Sequence, residues 1–427
     1  MINFEKCPKK RLIYFTFFII FVFSFEYFTR EILWDLTIYI TPWMQKNLQI
    51  FIPFEHFLSF FGTERVMIVC IFIIFLFFNI YKTFILIAVI SSANLLTGLL
   101  KMIYTQPRPF WVSDDIIPYQ CEGGWACPSG HSLCSVAFYL TFWRLIFNKE
   151  DDKQKHIRIL TFSIIITIIS LICSGRVFLG VHAINQVFLG CCLGWSLFYF
   201  TFNILHVDPD DPYQLFYIIT ETFKKFYLVN LGMFVIYTII YFIVSNLNTN
   251  KLKYNQIINS KGCFEIGNSK RFENDAYLSC TIFHLYLAAL IGIKLEYSRI
   301  FNSNLKKWME YNFGIFITAE QQSLLHKNVD CQWNHTKDNS ITVKRCILTI
   351  IYLFVTMIPY LFINNDSNLI IVVLFKIIIP FVTSLIMLFS YFKVFLAYTN
   401  ATNENTNYSL CYHEMSTEIK FSQTWRI

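Results

Sequence analysis

Long apolar stretches, separated by short polar segments, recur along most of this chain of 427 residues. A helix needs about 20 mostly apolar residues to cross the hydrocarbon core of a bilayer. By that measure the pattern predicts an all-α, polytopic integral membrane helix bundle with about nine to ten transmembrane helices. The stretches that reach or approach this length lie at 11–29, 66–80, 83–100, 132–148, 158–174, 187–205, 226–245, 278–295, 344–363 and 369–397.

Composition agrees with a membrane protein. Hydrophobic residues make up 55% of the chain and charged residues only 15%, whereas soluble domains usually contain about 25% charged residues. The net charge of +7 is spread thinly over the polar segments, which disfavours nucleic acid as a partner and leaves membrane lipids as the expected surroundings. The 13 cysteines lack the paired spacing that is typical of zinc sites.

Three groups of polar residues interrupt the apolar stretches in the region 101–186. The first group consists of Lys101 and, after six residues, Arg108-Pro109. The second is Pro128-Ser129-Gly130-His131. The third consists of Ser174-Gly175-Arg176, then His182 after five residues and Gln186 after three more. Counting the predicted helices from 83 onwards places all three groups at helix ends on one side of the membrane. Randomly placed polar residues would be divided between the two sides, so the pattern favours one shared site.

The distribution of basic residues predicts which side this is. Short cytosolic loops are enriched in Lys and Arg. Segments 6–11 and 149–158, on the side opposite the polar groups, contain four basic residues each, whereas the loop 101–131 contains two. We therefore expect the polar groups to face the lumen or the exterior, with both termini in the cytosol.

The cations of these groups suit a phosphate ester, which carries nearly two negative charges. Arg108 and Arg176 offer forked, permanently charged donors that match two oxygens at once, and Lys101 adds a compact charge. Ser129 and Gly130 begin a predicted helix whose first N–H groups bind anions. Lys101 alone is equally typical of a snorkelling residue at a helix end, but its spacing from Arg108 favours a shared role.

Two histidines complete the chemistry. His131, in the first turn of a predicted helix, is placed to protonate a leaving alkoxide. His182, just before the next predicted helix, is placed to attack phosphorus as a neutral imidazole and form a phosphohistidine. Gln186 lies one helical turn further on, where its carbonyl would accept the N–H of the other ring nitrogen. An ordinary helix-surface amide remains the alternative for Gln186.

Together the three groups resemble the signature of the type-2 phosphatidic acid phosphatase superfamily, which is Lys-x6-Arg-Pro, Pro-Ser-Gly-His and Ser-Arg-x5-His-x3-Asp. The resemblance implies that His182 is the nucleophile and His131 the general acid. It also implies a phosphate clamp formed by Lys101, Arg108 and Arg176 with Ser129 and Gly130. It implies neither a metal nor another cofactor.

Two positions depart from that signature. Gly175 stands where the superfamily has Ser, and Gln186 stands where it usually has Asp. The glucose-6-phosphatase branch is similar in having Gln there, and 108–111 (Arg-Pro-Phe-Trp) and Cys121-Glu122 also resemble that branch. The resemblance implies a sugar phosphate such as glucose 6-phosphate as substrate, an endoplasmic-reticulum membrane with a lumenal active site, and a substrate transporter among the partners to consider. A lipid phosphate, either phosphatidate or a long-chain-base phosphate, is the alternative.

We predict three regions: an N-terminal helix and lumenal loop at 1–65, a phosphatase core at 66–205 and C-terminal transmembrane helices at 206–427. A transporter or channel is the alternative from another class. It is disfavoured because the polar residues gather at helix ends on one face instead of at mid-bilayer. A non-catalytic scaffold is disfavoured because every principal cation and imidazole of the signature is present. A haloperoxidase would need vanadate, and the membrane setting disfavours it.

Overall fold

The computed structural model describes residues 9–63, 66–67, 70–71, 80–147, 155–209, 223–247 and 251–263. Every regular element in these residues is a helix. Most of the predicted stretch at 66–80, those at 278–295, 344–363 and 369–397, and the C-terminal region beyond 263 lie outside the described residues.

We number the helices of the described residues in chain order. They are α1 (Lys9–Asn47), a 3-10 turn (Gln49–Phe51), α2 (Ile52–Phe61), α3 (Ile80–Tyr104), α4 (Pro109–Val112), α5 (Gly130–Ile146), α6 (Lys155–Phe178), α7 (Ile184–Tyr199) with a π-helical turn (Phe200–Ile204), α8 (Phe223–Leu247) and α9 (Lys251–Ser260).

Within the described residues, four segments are long and apolar enough to cross a membrane. They are Lys10–Asn47, Lys82–Val112, Lys155–Phe178 and Ile184–Ile204. They correspond to the predicted stretches at 11–29, 83–100, 158–174 and 187–205, so the described residues account for four of the predicted crossings. The chain is thus a multi-pass membrane protein, and the part that the structure describes is all-α. The predicted stretch at 132–148 forms α5, which has 17 residues.

Helix α1 is longer than the apolar pattern predicted. It continues to Asn47, through residues for which the pattern predicts a loop. In this part the buried face is polar, because Thr37, Thr41 and Gln45 are buried at four-residue spacing. A search for apolar stretches ends where the charged residues begin, so it missed a helix whose inward face binds backbone groups of the bundle. Gln45, for example, donates from Nε2 to the carbonyl of Phe178 over 3.0 Å.

Two glycines bring α7 close to α5. A Cβ atom added to Gly190 would lie 2.7 Å from the carbonyl oxygen of Ser129, and one added to Gly194 would lie 2.5 Å from that of Leu133. Any larger residue would push the helices apart, as at other small-residue helix contacts in membranes. The N–H of Ser129 donates to the carbonyl of Gln186 over 3.0 Å. The beginnings of α5 and α7 are therefore held side by side, and α3 packs on the same core.

The loop between α4 and α5, residues 113–129, is fastened to the bundle from two sides. Gln45 of α1 accepts from the N–H of Ile117 over 2.9 Å. Lys261, just after α9, donates from Nζ to the carbonyls of Ser113 and Ile116 over 2.6 Å each. A disulfide joins Cys121 to Cys263. The loop therefore has a defined path over the helix ends.

Candidate active site

Arg108 is fixed by backbone carbonyls. It precedes α4 in an extended conformation, and 1% of its surface is exposed. Its Nη2 donates to the carbonyl of Gly123 over 2.7 Å, Nε to that of Gly124 over 3.2 Å, and Nη1 to that of Val181 over 3.0 Å. Gly124 has a φ of 69°, which glycine adopts without strain. The guanidinium is thus oriented before any ligand binds.

Arg176 lies in the last turn of α6 and is fully buried. Its Nη1 donates to Oγ of Ser59 over 2.5 Å and to Oε1 of Gln120 over 3.0 Å. Its Nη2 forms an ion pair with Glu122. Arg176 therefore joins α6 to α2 and to the loop 113–129.

Glu122 lies between the two arginines. One carboxylate oxygen is 2.8 Å from Nη1 of Arg108, and the other bonds Arg176. Burial alone would raise the pKa of Glu122, but the positive charges of Arg176 and Arg108 lower it well below its usual value. The side chain stays 17% exposed. The site thus holds an anion in contact with two arginines, at a place that solvent reaches.

The chain turns sharply to place His182. Gly180, just after α6, has a φ of 76°, and its position leaves no room for a side chain beside Ile116. The N–H of His182 then donates to the carbonyl of Arg176 over 3.2 Å. The imidazole is almost fully buried.

The two ring nitrogens of His182 face different partners. Nδ1 lies 3.3 Å from Oε1 of Gln186, and Nε2 lies 3.3 Å from Nη1 of Arg108 and 3.8 Å from Oε2 of Glu122. Since Gln186 Oε1 only accepts, the arrangement assigns the proton to Nδ1 and the lone pair to Nε2. Burial, followed by the charge of Arg108, lowers the pKa of His182 well below its usual value. A neutral imidazole therefore faces the arginines and the anion.

Gln186 is held so that its oxygen points to His182. That oxygen also accepts from the N–H of Ala183 over 3.0 Å, while Nε2 donates to the carbonyl of Pro107 over 3.1 Å and to Oε1 of Gln106 over 3.3 Å. Turning the amide over would place a donor against the N–H of Ala183, so these partners fix its orientation. The structure thus brings Arg108, His182 and Gln186 into direct contact.

A buried network extends from Gln186 to α1. Asn185 donates from Nδ2 to Oε1 of Gln106 over 3.3 Å and to Oε1 of Glu26 over 3.1 Å. Glu26 is fully buried and pairs with Arg30, which donates from Nε and Nη2 over 2.9 and 2.8 Å. This network was not predicted from the sequence, although an acidic and a basic residue at four-residue spacing at the end of an apolar stretch do indicate a function inside the membrane.

The remaining predicted residues lie at the start of α5 and in the last turn of α3. Ser129 caps α5, and its Oγ accepts from Oγ of Ser132 over 3.0 Å. Gly130 and His131 form the first turn of α5. Nε2 of His131 is buried without a hydrogen-bond partner among the described residues. Lys101 ends α3, and its charge helps to lower the pKa of His182.

Three residues whose side chains bind Arg108 or Arg176 were also not predicted from the sequence as site residues: Ser59, Gln120 and Glu122. Glu122 entered the sequence analysis only as part of a resemblance. The sequence did contain an indication, because the loop 113–129 has three acidic residues and no basic residue and lies between the segments that carry Arg108 and Arg176. For Ser59 in α2 we find no comparable indication.

Residues 82–209 match the family model of the PAP2 superfamily. A search of curated proteins gave no match. Among solved structures, the chain is similar to the first transmembrane PAP2 type phosphatidylglycerolphosphate phosphatase from Bacillus subtilis, with 24% identity over 43% of this chain and 90% of that chain and a TM-score of 0.34. The family match includes all three polar groups, from Lys101 to Gln186. Residues 82–209, which carry the whole candidate site, are therefore similar to the PAP2 superfamily.

Proposed function

We propose that this PAP2-type membrane phosphatase hydrolyses phosphate monoesters through a phosphohistidine on His182, and that its substrate is a sugar phosphate such as glucose 6-phosphate. The observation that carries the proposal is the position of the Glu122 carboxylate, in contact with Arg108 and Arg176 and 3.8 Å from Nε2 of His182. A phosphate that displaces this carboxylate would accept hydrogen bonds from the same two guanidinium groups. Its phosphorus would then lie next to the ring nitrogen that carries the lone pair.

The first step transfers the phosphoryl group to the enzyme. The lone pair of His182 Nε2 attacks phosphorus, and the bond from phosphorus to the ester oxygen breaks. Burial, followed by the charge of Arg176, lowers the pKa of His131 to about 3 in the free protein, and the negative charge of a bound phosphate would offset both effects. His131 then carries a proton and gives it to that oxygen, so that an alcohol leaves instead of an alkoxide. Arg108, Arg176 and Lys101 hold the negative charge on the other phosphate oxygens during the transfer. Gln186 keeps the proton on Nδ1, so that Nε2 is the atom that reacts.

The second step returns the enzyme to its starting state. His131, now neutral, takes a proton from water while the water oxygen attacks the phosphorus. The bond from phosphorus to Nε2 breaks, inorganic phosphate leaves and His182 is neutral again. Both histidines thus recover their original protonation, and water is consumed once in each cycle.

The polar loop beside the arginines supports a sugar phosphate. Once displaced, the carboxylate of Glu122 would remain near the leaving alcohol, and Gln120 lies beside it on Arg176. Carboxylate and amide oxygens accept from hydroxyl groups, which a sugar presents in number. A lipid phosphate would place an acyl or alkyl chain against these groups instead. It is the alternative substrate in the assay below.

Two observations support a lumenal active site in the endoplasmic reticulum. The loop that carries Glu122 is joined to α9 by the disulfide between Cys121 and Cys263, and disulfides persist in oxidising compartments. Basic residues, moreover, are concentrated in segments 6–11 and 149–158, on the opposite side of the membrane. A transporter that delivers the sugar phosphate to the lumen is then an expected partner.

A phosphate-release assay tests the proposal. The purified full chain is incubated with glucose 6-phosphate, other sugar phosphates, phosphatidate and a long-chain-base phosphate, with excess chelator present, because the proposed clamp consists of protein cations. We expect hydrolysis of a sugar phosphate, which the His182→Ala variant lacks. Hydrolysis of the lipid phosphates alone would overturn the substrate assignment. Hydrolysis that requires added magnesium would overturn the mechanism.

A further inference from the structure

Helix α2 lies against the proposed active site, although it precedes the segment that matches the PAP2 superfamily. Glu55 and Ser59 of α2 and Gly62 just after it share one face, since helical residues recur at intervals of about 3.6. A Cβ atom added to Gly175 would collide with the Glu55 carboxylate, and one added to Gly62 would lie 2.9 Å from Cδ2 of His131. The α2 face therefore contacts both the end of α6 and the start of α5.

Ser59 is the residue of this face that contacts Arg176, one of the proposed phosphate-binding cations. It is 5% exposed, and its Oγ accepts from Nη1 of Arg176 over 2.5 Å. The other amino nitrogen of Arg176 binds Glu122, the anion already in the site. A hydroxyl accepts and donates, and its oxygen is already used by Arg176. No described residue accepts the proton of this hydroxyl, so Ser59 can donate it to a ligand that binds Arg176.

The end of α6 itself offers no hydroxyl there. Ser174 donates from Oγ to the carbonyl of Leu171 over 3.1 Å and is exposed, so that its hydroxyl is used within its own helix. Gly175 has no side chain, and the carboxylate of Glu55 takes up the space that one would need. The hydroxyl next to Arg176 thus comes from α2.

We propose that Ser59 is a phosphate-binding residue of this enzyme, whose oxygen positions Arg176 and whose proton is donated to a phosphate oxygen. The proposal rests on the function proposed above, because it needs a phosphate between Arg108 and Arg176. It extends the active site to a helix outside residues 82–209. It also assigns a reason for glycine at 175, since a side chain there would displace the α2 helix that carries Ser59.

The test compares Ser59→Ala and Ser59→Thr with the wild type. Vanadate is the probe, because it adopts the five-coordinate geometry of phosphorus during the transfer. A hydrogen bond to a charged group changes affinity by about 10- to 100-fold. Ser59→Ala should therefore need about 10- to 100-fold more vanadate for half-maximal inhibition and for thermal stabilisation. Ser59→Thr keeps the hydroxyl and should remain within a few-fold of the wild type.

Ser196→Ala is the matched control. Ser196 is also buried, but its Oγ donates to the carbonyl of Cys192 within α7 over 2.7 Å, and its loss should leave vanadate affinity unchanged. A purely structural role of Ser59 would lower the melting temperature of the unliganded enzyme and leave vanadate affinity alone. That result, or equal affinities of Ser59→Ala and the wild type, would overturn the proposal.

The two proposals fail in different ways. A wild type that binds vanadate but hydrolyses no phosphate ester refutes the proposed function, and the affinity comparison still decides the role of Ser59. A wild type that hydrolyses esters while Ser59→Ala binds vanadate equally well refutes only the role of Ser59. If Ser59→Ala does not fold, Ser59→Thr decides the role of Ser59. This variant keeps the hydroxyl, so a loss of vanadate affinity of about 10-fold or more, which is what loss of the bond predicts, would also refute the role of Ser59.

Discussion

Nδ1 of His182 lies 3.3 Å from the side-chain oxygen of Gln186, so the histidine that we propose as nucleophile is oriented by an amide and not by a carboxylate. An amide oxygen fixes the tautomer, because it accepts the N–H and leaves the lone pair on Nε2. Unlike a carboxylate, it carries no full negative charge that would stabilise a positively charged imidazole ring of His182. The proposed reaction therefore depends on the orientation of His182 more than on charge compensation by residue 186.

Replacing Gln186 by Ala removes the acceptor and frees the imidazole to rotate or change tautomer. We expect kcat to fall by about 10- to 100-fold, the usual effect of one hydrogen bond to a charged group. Gln186→Glu keeps an acceptor at the same place and should retain most of the activity. Steady-state kinetics on both variants checks this, and a fully active Gln186→Ala would contradict the orienting role.

Glu26 is the charged residue at the far end of the network that supports Gln186, through Asn185 and Gln106. Glu26→Gln should lower kcat by about 3- to 10-fold, less than the loss of a direct contact, with KM unchanged. Because both residues act on His182 through one network, their effects should not add. The double variant Glu26→Gln/Gln186→Ala should match Gln186→Ala alone. Additive losses in kcat would show that Glu26 acts by another route.

Glu122 should affect both pH stability and product binding. Its pKa is lowered in the folded protein, so its ion pairs stabilise the fold fully above the unfolded value and lose that contribution as the pH falls through the lowered folded value. The melting temperature of the wild type should therefore decline as the pH falls below about 4.3, and that of Glu122→Gln should decline less.

The same variant tests whether the carboxylate takes the place of phosphate. Glu122→Gln lacks the anion that competes for Arg108 and Arg176, so inorganic phosphate should inhibit it at lower concentration than it inhibits the wild type. Weaker inhibition by phosphate would instead make Glu122 part of the binding site for phosphate. Glu55→Gln, which alters a carboxyl of α2 outside these ion pairs, is a suitable comparison.

The orientation in the membrane has its own test. A protease site inserted in 112–120 should be protected in sealed microsomes, and one inserted in 149–157 should be cleaved from the cytosolic side. The Cys121–Cys263 disulfide should form in the same microsomes and should be absent from Cys263→Ser. Cleavage at 112–120 without detergent would contradict the lumenal assignment.

Much of the helical core could be predicted because its residues are apolar over lengths that suit a bilayer. Helices α3, α6 and α7 lie within a few residues of the stretches predicted for them. The polar residues at their ends, Arg108 and His182 among them, could be placed together because helices of one bundle alternate direction. The position of Gln186 beside His182 could be predicted from their spacing of one helical turn.

The residues that were missed depend on contacts between distant parts of the chain. Ser59 reaches Arg176 only because α2 packs on α6, and no local pattern distinguishes this serine from others. Glu122 binds two arginines because the loop 113–129 folds back over the helix ends. Glu26 lies within the predicted stretch 11–29, but its contact with Asn185 forms only because α1 packs on α7.

The roles of His182 and His131 are tested most directly by trapping the phosphoenzyme. The enzyme is mixed with labelled glucose 6-phosphate or nitrophenyl phosphate and quenched, and the label is mapped. In the wild type we predict an acid-labile label on His182. The His182→Ala variant should carry no label with either ester. The His131→Ala variant should be labelled normally by nitrophenyl phosphate but not by glucose 6-phosphate, because glucose needs a proton to leave. His131→Ala should lose turnover of the sugar ester by about 100-fold or more. An acid-labile label on His182→Ala, or equal loss with both esters in His131→Ala, would contradict the assignment of nucleophile and acid.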